Sequence, residues 1–218
     1  MIDAIRNVIA GDSPVFLLIA GPNGAGKSTF REKRLEPLRF PCIDPDKVGS
    51  ELFGKHPETK EEALQATKEA TKRVRSFFLD CRSVALETVF SDAKGYKLSL
   101  INEAHTDGFK TILIFIGVDD PQVCIARVMD RVEHGGHDVP DDIIEKRFPK
   151  CFENLKSSIK IVDLVLLVDN SGCYGSENSP QGLRHYVFGL IHKGKQVELS
   201  NPVPRWFHNF GISDVIQP

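Results

Sequence analysis

Residues 15–20, VFLLIA, run without a polar interruption into GPNGAGKST at residues 21–29. A continuous apolar run of this length suits a strand buried on both faces. The nine residues behind it match G-x-x-x-x-G-K-[ST], a spacing in which glycines let successive N–H groups turn toward one phosphate. The segment therefore predicts a strand, a phosphate-binding loop and a helix start, which only a layered α/β fold accommodates. Gly21, Pro22, Asn23, Gly24, Ala25, Gly26, Lys27, Ser28 and Thr29 are the candidate nucleotide-binding residues. In such a loop the lysine, Lys27, reaches the β- and γ-phosphates, and the hydroxyl of Ser28 joins a Mg²⁺ shell.

The rest of the chain repeats the strand–helix alternation. A helix is expected over 28–38, a short strand over 40–43, and a second helix opening at Asp44-Pro45, with Asp44 as N-cap and Pro45 at the first helical position. Residues 58–81 carry Ala63, Ala66, Ala70, Val74, Phe77 and Cys81 at helical spacing. Strands follow at 83–87, 110–118 and 161–168, with helices at 94–106, from Asp120-Pro121 onward, and over 140–160, where Pro149 is expected to kink or split the last. Beyond residue 170 come a polar loop, a hairpin formed by 185–192 and 196–199, and a tail whose Trp206, Phe207 and Phe210 suit a short helix docking by its aromatics. The expected architecture is a doubly wound, mainly parallel sheet of the P-loop nucleotide-kinase type, with a helical lid and a C-terminal β-hairpin. The expected division is a kinase core over 1–172, its lid at about 127–147, and a hairpin and tail over 173–218 packed on the same domain.

In such folds ligands sit beyond the carboxyl ends of the strands, so residues that follow strands carry the information. Asp44 and Asp46 follow the second strand, across from the loop's γ-phosphate end. Asp44 can simply cap the helix and is also a candidate acceptor contact, and Asp46 is the main candidate for a functional carboxylate where an acceptor hydroxyl would lie. Glu87 and Thr88 close the third strand and are candidate acceptor contacts. Arg127 and Arg131 lie one helical turn apart, Gly135-Gly136-His137-Asp138 follows as a hinge, and Arg147 stands on the next helix. Two helices joined by a glycine hinge and bearing arginines suit a lid that closes guanidinium groups onto phosphates. His137 belongs to that lid, and the remaining histidines, His134 among them, are expected on the surface.

Absences narrow the class. There is no N-K-x-D as in a GTPase and no L-S-G-G as in an ABC ATPase. The strand at 110–118 runs into Asp119-Asp120-Pro121, where an acid more simply caps the next helix. A small-molecule phosphotransferase fits what is left. A nucleotide-dependent interaction module and a nucleic-acid end kinase are the competing classes. The formal net charge of −2 offers no basic footprint for nucleic acid. Five dispersed cysteines, without a C-x-x-C pair, suit buried thiols in a reducing cytoplasm, and no apolar run is long enough to span a membrane.

Taken together, GPNGAGKST, IDPDKV at 43–48, LET at 86–88, the R-x-x-x-R-x-x-x-G-G-H-D-V-P run from Arg127 and LVDNSG at 167–172 resemble the zeta-toxin-like P-loop kinases. The likeness extends over about residues 16–172 and is closest to the branch labelled predicted ABC-type ATPases. Zeta toxins pass the γ-phosphate of ATP to a hydroxyl of UDP-N-acetylglucosamine, and a small antitoxin can block their nucleotide site. The resemblance implies ATP and Mg²⁺ at Lys27 and Ser28, Asp46 as general base, Glu87 on the acceptor, and Arg131 and Arg147 on the transferring group. It also implies a small-molecule acceptor and an antitoxin as partner.

Overall fold

The computed structural model describes residues 1–35, 40–92, 95–172 and 185–217. In chain order the elements are α1 (Ile2–Ile9), β1 (Val15–Gly21), α2 (Lys27–Arg34), β2 (Cys42–Ile43), α3 (Pro45–Phe53), α4 (Lys60–Leu79), β3 (Val84–Val89), α5 (Tyr96–Thr106), β4 (Lys110–Gly117), α6 (Pro121–Glu133), α7 (Asp141–Ser158), β5 (Leu164–Asp169), β6 (Tyr186–His192), β7 (Lys195–Leu199) and α8 (Arg205–Asn209). They build one seven-stranded sheet in the order β2-β3-β1-β4-β5-β6-β7. The first five strands are parallel, and β6 and β7 continue the sheet antiparallel from β5. This is the expected α/β sheet of P-loop kinase type with its hairpin in place.

The sheet order explains where a ligand can sit. Strand β1 is central and buried at every position, with β3 on one side and β4 on the other. The chain leaves β1 toward β2 and later crosses back past it to β4. The crevice at its carboxyl end is thus the switch point of the sheet. Helix α3 begins as its sequence predicts: Asp44 accepts from Asp46 N at 3.0 Å, with Pro45 at the first helical position. Helix α4 opens on a capping box of Thr59 and Glu62. It buries Ala66, Ala70, Val74 and Phe78, with Phe77 half-buried against the same core. Pro149 does not split α7, which runs from Asp141 to Ser158. The proline lies on the exposed face, where water can meet the carbonyl that its missing N–H leaves unpaired. Helix α1 is an addition to the expected elements. It is short, and only Ile5 is buried.

The thiols divide. Cys124 and Cys151 are buried, as expected; Cys42 is half-buried and Cys81 exposed, against expectation. Cys81 follows the last turn of α4 with φ of 51°, so it has left the helical face on which its spacing placed it. Cys173 lies outside the described residues. Burial pushes the Cys124 thiol up to about 11 and the Cys151 thiol to about 12, which keeps both protonated and inert. Among the described residues no helix is long and apolar enough to cross a membrane.

The tail packs on its own sheet. Trp206 is fully buried against Phe115, Phe152 and Phe188, with ring centroids 5.8, 5.5 and 5.4 Å away. Its indole N–H donates to Asp169 Oδ1 at 2.7 Å and its backbone N–H to Asp119 Oδ1 at 2.8 Å. Asp120 alone caps α6, so Asp119 is committed to the tail. Burial raises the Asp169 pKa, and the hydrogen bonds from Ser171 and Trp206 hold the shift in check. Trp206→Ala should cost about 3–5 kcal/mol, the usual range for emptying a buried aromatic site, as read by chemical denaturation. A smaller loss would mean that α8 is only a cover.

Candidate active site

The site is built outward from the turn after β1. Gly24 and Gly26 hold φ of +69° and +89°, values that other residues adopt at a cost. A Cβ on Gly26 would also fall 2.6 Å from Asn170 Nδ2 and 3.0 Å from His185 Nε2. Those two side chains brace the loop from behind. Asn170 donates to the Ala25 carbonyl at 2.8 Å, and His185 Nε2 stands 3.1 Å from the Gly26 carbonyl. The Ala25 and Gly26 carbonyls are thus held from behind, and α2 begins directly after the loop with its positive dipole end.

Lys27 is 9% exposed, and its ammonium donates to the carbonyls of Gly21 at 3.1 Å and Pro22 at 2.7 Å. Burial lowers its pKa, and the negative charge of Glu87 opposes that shift. Ser28 Oγ donates to Glu87 Oε1 at 2.5 Å, and Arg31 NH1 lies 3.4 Å from Glu87 Oε2. Glu87 is 5% exposed and Oε2 accepts no hydrogen bond. A serine hydroxyl and a buried carboxylate oxygen, side by side at the phosphate loop, form a hard oxygen donor set that fits Mg²⁺.

A cavity of about 1070 Å³ opens in front of this pair. Asn23, Gly24, Lys27 and Ser28 of the phosphate loop line it, together with Asp44 and Asp46, Glu87 and Thr88, and Arg131, His137 and Arg147. The two aspartates differ in environment. Asp44 caps α3, and its pKa is raised by burial and by the charges of Glu87 and Asp46. Asp46 keeps a side chain 60% exposed, and His137 Nε2 is 3.5 Å from its Oδ2. Arg131 NH2 donates to the His137 carbonyl at 2.7 Å, fixing the hinge loop that carries the imidazole. Burial first, and then Arg131, lowers the His137 pKa, so neutral imidazole is favoured. Arg147 is exposed and has no ion-pair partner among the described residues.

Of the residues singled out by sequence, Arg127 is not on this cavity. It lies with its guanidinium toward Gly172, on the side of the loop held by Asn170 and His185. Gly21, Pro22, Ala25, Gly26 and Thr29 shape the loop without lining the cavity. His134 is exposed as expected, but His185 is buried and His56 lines the cavity. Arg31 and His185 carried no sequence signal, since neither belongs to a motif. Asn170 stands in LVDNSG, yet its hold on the loop spans 145 residues of chain.

The central parallel strand and the phosphate loop behind it are those of a P-loop kinase. The chain belongs to the zeta toxin family, whose family model matches residues 2–178, and with it to the ATP-dependent kinases. An uncharacterized protein of Haemophilus influenzae is 24% identical over 132 residues, covering 61% of this chain and 91% of that one. Among solved structures, that of the PezAT chromosomal toxin–antitoxin system of Streptococcus pneumoniae matches with a TM-score of 0.58 at 16% identity, over 84% of this chain and 80% of that one. The AvrRxo1-ORF1:ORF2 complex with ATP matches with a TM-score of 0.63 at 15% identity, over 100% and 70%. At these identities the structural likeness is one of fold.

Proposed function

We propose that this kinase transfers the γ-phosphoryl group of ATP to a hydroxyl of an anionic small molecule, with a UDP-sugar such as UDP-N-acetylglucosamine as the first acceptor to try. The observation that carries this reading is the Asp46 carboxylate, exposed on the wall of the cavity that Lys27 and Ser28 also line. The hydroxyl proton passes to Asp46 as the acceptor oxygen bonds to phosphorus, and the bond from phosphorus to the ADP oxygen breaks in line. Lys27 and the lid arginines balance the charge on the transferring group. Ser28 and Glu87 would hold Mg²⁺, whose chemistry when bound is to neutralise phosphate charge. Lys47, Lys60, Lys146 and Lys150 on the same walls favour an acceptor that itself carries phosphate.

The toxin–antitoxin system among the structural relatives supports a protein partner of the antitoxin kind, acting in the cytoplasm where ATP is present. Purified protein incubated with ATP, Mg²⁺ and a panel of sugar nucleotides, sugars and nucleosides should give one product heavier by a single phosphoryl unit, as detected by mass spectrometry. Tight ATP binding with no product from any acceptor would instead favour a nucleotide-dependent binding module. Lys27→Ala should weaken ATP binding about 10- to 100-fold, the worth of a charge-assisted contact of about 1.5–3 kcal/mol. Unchanged affinity by calorimetry would remove the lysine from the phosphate site.

A further inference from the structure

We propose that Asp46, His56 and His137 form a binding site for a borderline divalent transition ion of the zinc type, separate from the Mg²⁺ position at Ser28 and Glu87. Three segments supply the ligands: the first turn of α3, the loop between α3 and α4, and the loop between α6 and α7. One carboxylate oxygen and one nitrogen from each imidazole all lie within 4.8 Å of one another. His137 Nε2 is 3.5 Å from Asp46 Oδ2. The two imidazole centroids are 3.8 Å apart, with planes inclined at 51°.

The cluster approaches what a tetrahedral ion requires, and the two imidazoles, now in ring contact, must splay apart by more than about 1 Å to share one ion. Zinc holds nitrogen and oxygen ligands at about 2.0–2.2 Å, which sets neighbouring ligand atoms roughly 3.4 Å apart. The Asp46–His137 edge already has that length. The widest edge needs to close by no more than about 1.4 Å. Neither imidazole is committed elsewhere: among the described residues their rings make no hydrogen bond that would compete with a metal. Position is also fixed from behind. Gly49 of α3 admits Pro57, since a Cβ there would fall 2.2 Å from Pro57 Cγ, and this close approach seats His56 beside the first turn of α3.

The ligand set selects the ion. Two imidazoles with one carboxylate suit zinc, copper or nickel, whereas Mg²⁺ prefers oxygen throughout. Three protein ligands leave a fourth position for water. The functional consequence rests on the reading of Asp46 as base. An ion there occupies the lone pairs that the base uses and ties the lid loop to α3, so bound metal holds the kinase off.

The test uses untagged full chain stripped by a chelator and titrated with Zn²⁺ against a chromophoric competitor. One zinc per chain is expected. His56→Ala and His137→Ala should each weaken it by more than about 10-fold, the loss that even an outer contact to a metal produces. Cys81→Ser and Lys27→Ala should retain it, separating the site from the exposed thiol and from the nucleotide. Circular dichroism and ATP binding would show that the histidine variants are folded. No zinc on the wild-type chain, or equal affinity in folded His56→Ala, overturns the site. The second readout is phosphotransfer at buffered free zinc, expressed as the ratio of rates with and without the ion. That ratio should fall for wild type and stay near one for His56→Ala. Zinc bound at these residues with no loss of rate overturns the inhibitory role. Failure of the kinase reading shows separately, as absence of product from metal-stripped protein.

Discussion

Asp46→Asn should lower turnover by about 10²- to 10⁴-fold, the usual contribution of a positioned general base, and leave ATP affinity nearly unchanged. The substitution keeps size and shape but removes the capacity to take a proton. Asp46 is exposed to the cavity and spends no side-chain oxygen on capping its helix, a duty that falls to Asp44. Its loss from the first turn of α3 should therefore cost the fold only about 0.3–1 kcal/mol of dipole interaction. Asp44→Asn is the matched control. Asparagine caps as well as aspartate, so the helix should persist, and a small effect on rate is expected. Single-turnover product formation measured beside ATP binding separates the two residues. Full transfer by Asp46→Asn would dismiss the base assignment, and a collapse confined to Asp44→Asn would move the role to the capping residue.

What could be read from the sequence was what is local. The phosphate loop showed because a buried strand, glycines, a lysine and a helix start occur within 15 consecutive residues. The starts of α3 and α6 showed because Asp-Pro states both cap and first helical residue, and both caps are present. The side chains that brace the loop did not show. His185 meets Gly26 across 159 residues, a pairing that only the sheet order creates. Asp119 and Asp120 both suited a helix cap; the cap is Asp120, and Asp119 receives a tail that lies 87 residues further on. Arg127 shared a helical spacing with Arg131, yet four residues advance about 6 Å along the axis. That rise is enough to pass from the cavity to the Gly172 side. His56 gave no signal, because its neighbours at Asp46 and His137 come from other segments.

Arg147→Ala should lower kcat by about 10³-fold or more, the worth of an arginine that meets charge on a transferring phosphoryl group, with the KM for ATP little changed. The two arginines that line the cavity are not equivalent in this structure. Arg131 is engaged with the carbonyl of His137 and lies against Gly136, so it holds the hinge loop in shape. Arg147 stands exposed at the cavity without an ion pair among the described residues, free to swing onto a bound phosphate. Arg147→Lys should recover only part of the rate, because an ammonium keeps the charge and loses the planar fork. Arg131→Ala should change kcat and KM together, since it releases the loop that reaches Asp46 as well as removing a cation. Steady-state kinetics of the three variants distinguish these outcomes. A near-normal kcat in Arg147→Ala, with the loss confined to Arg131→Ala, would place the phosphoryl contact on α6 and leave α7 as the wall that carries the lid.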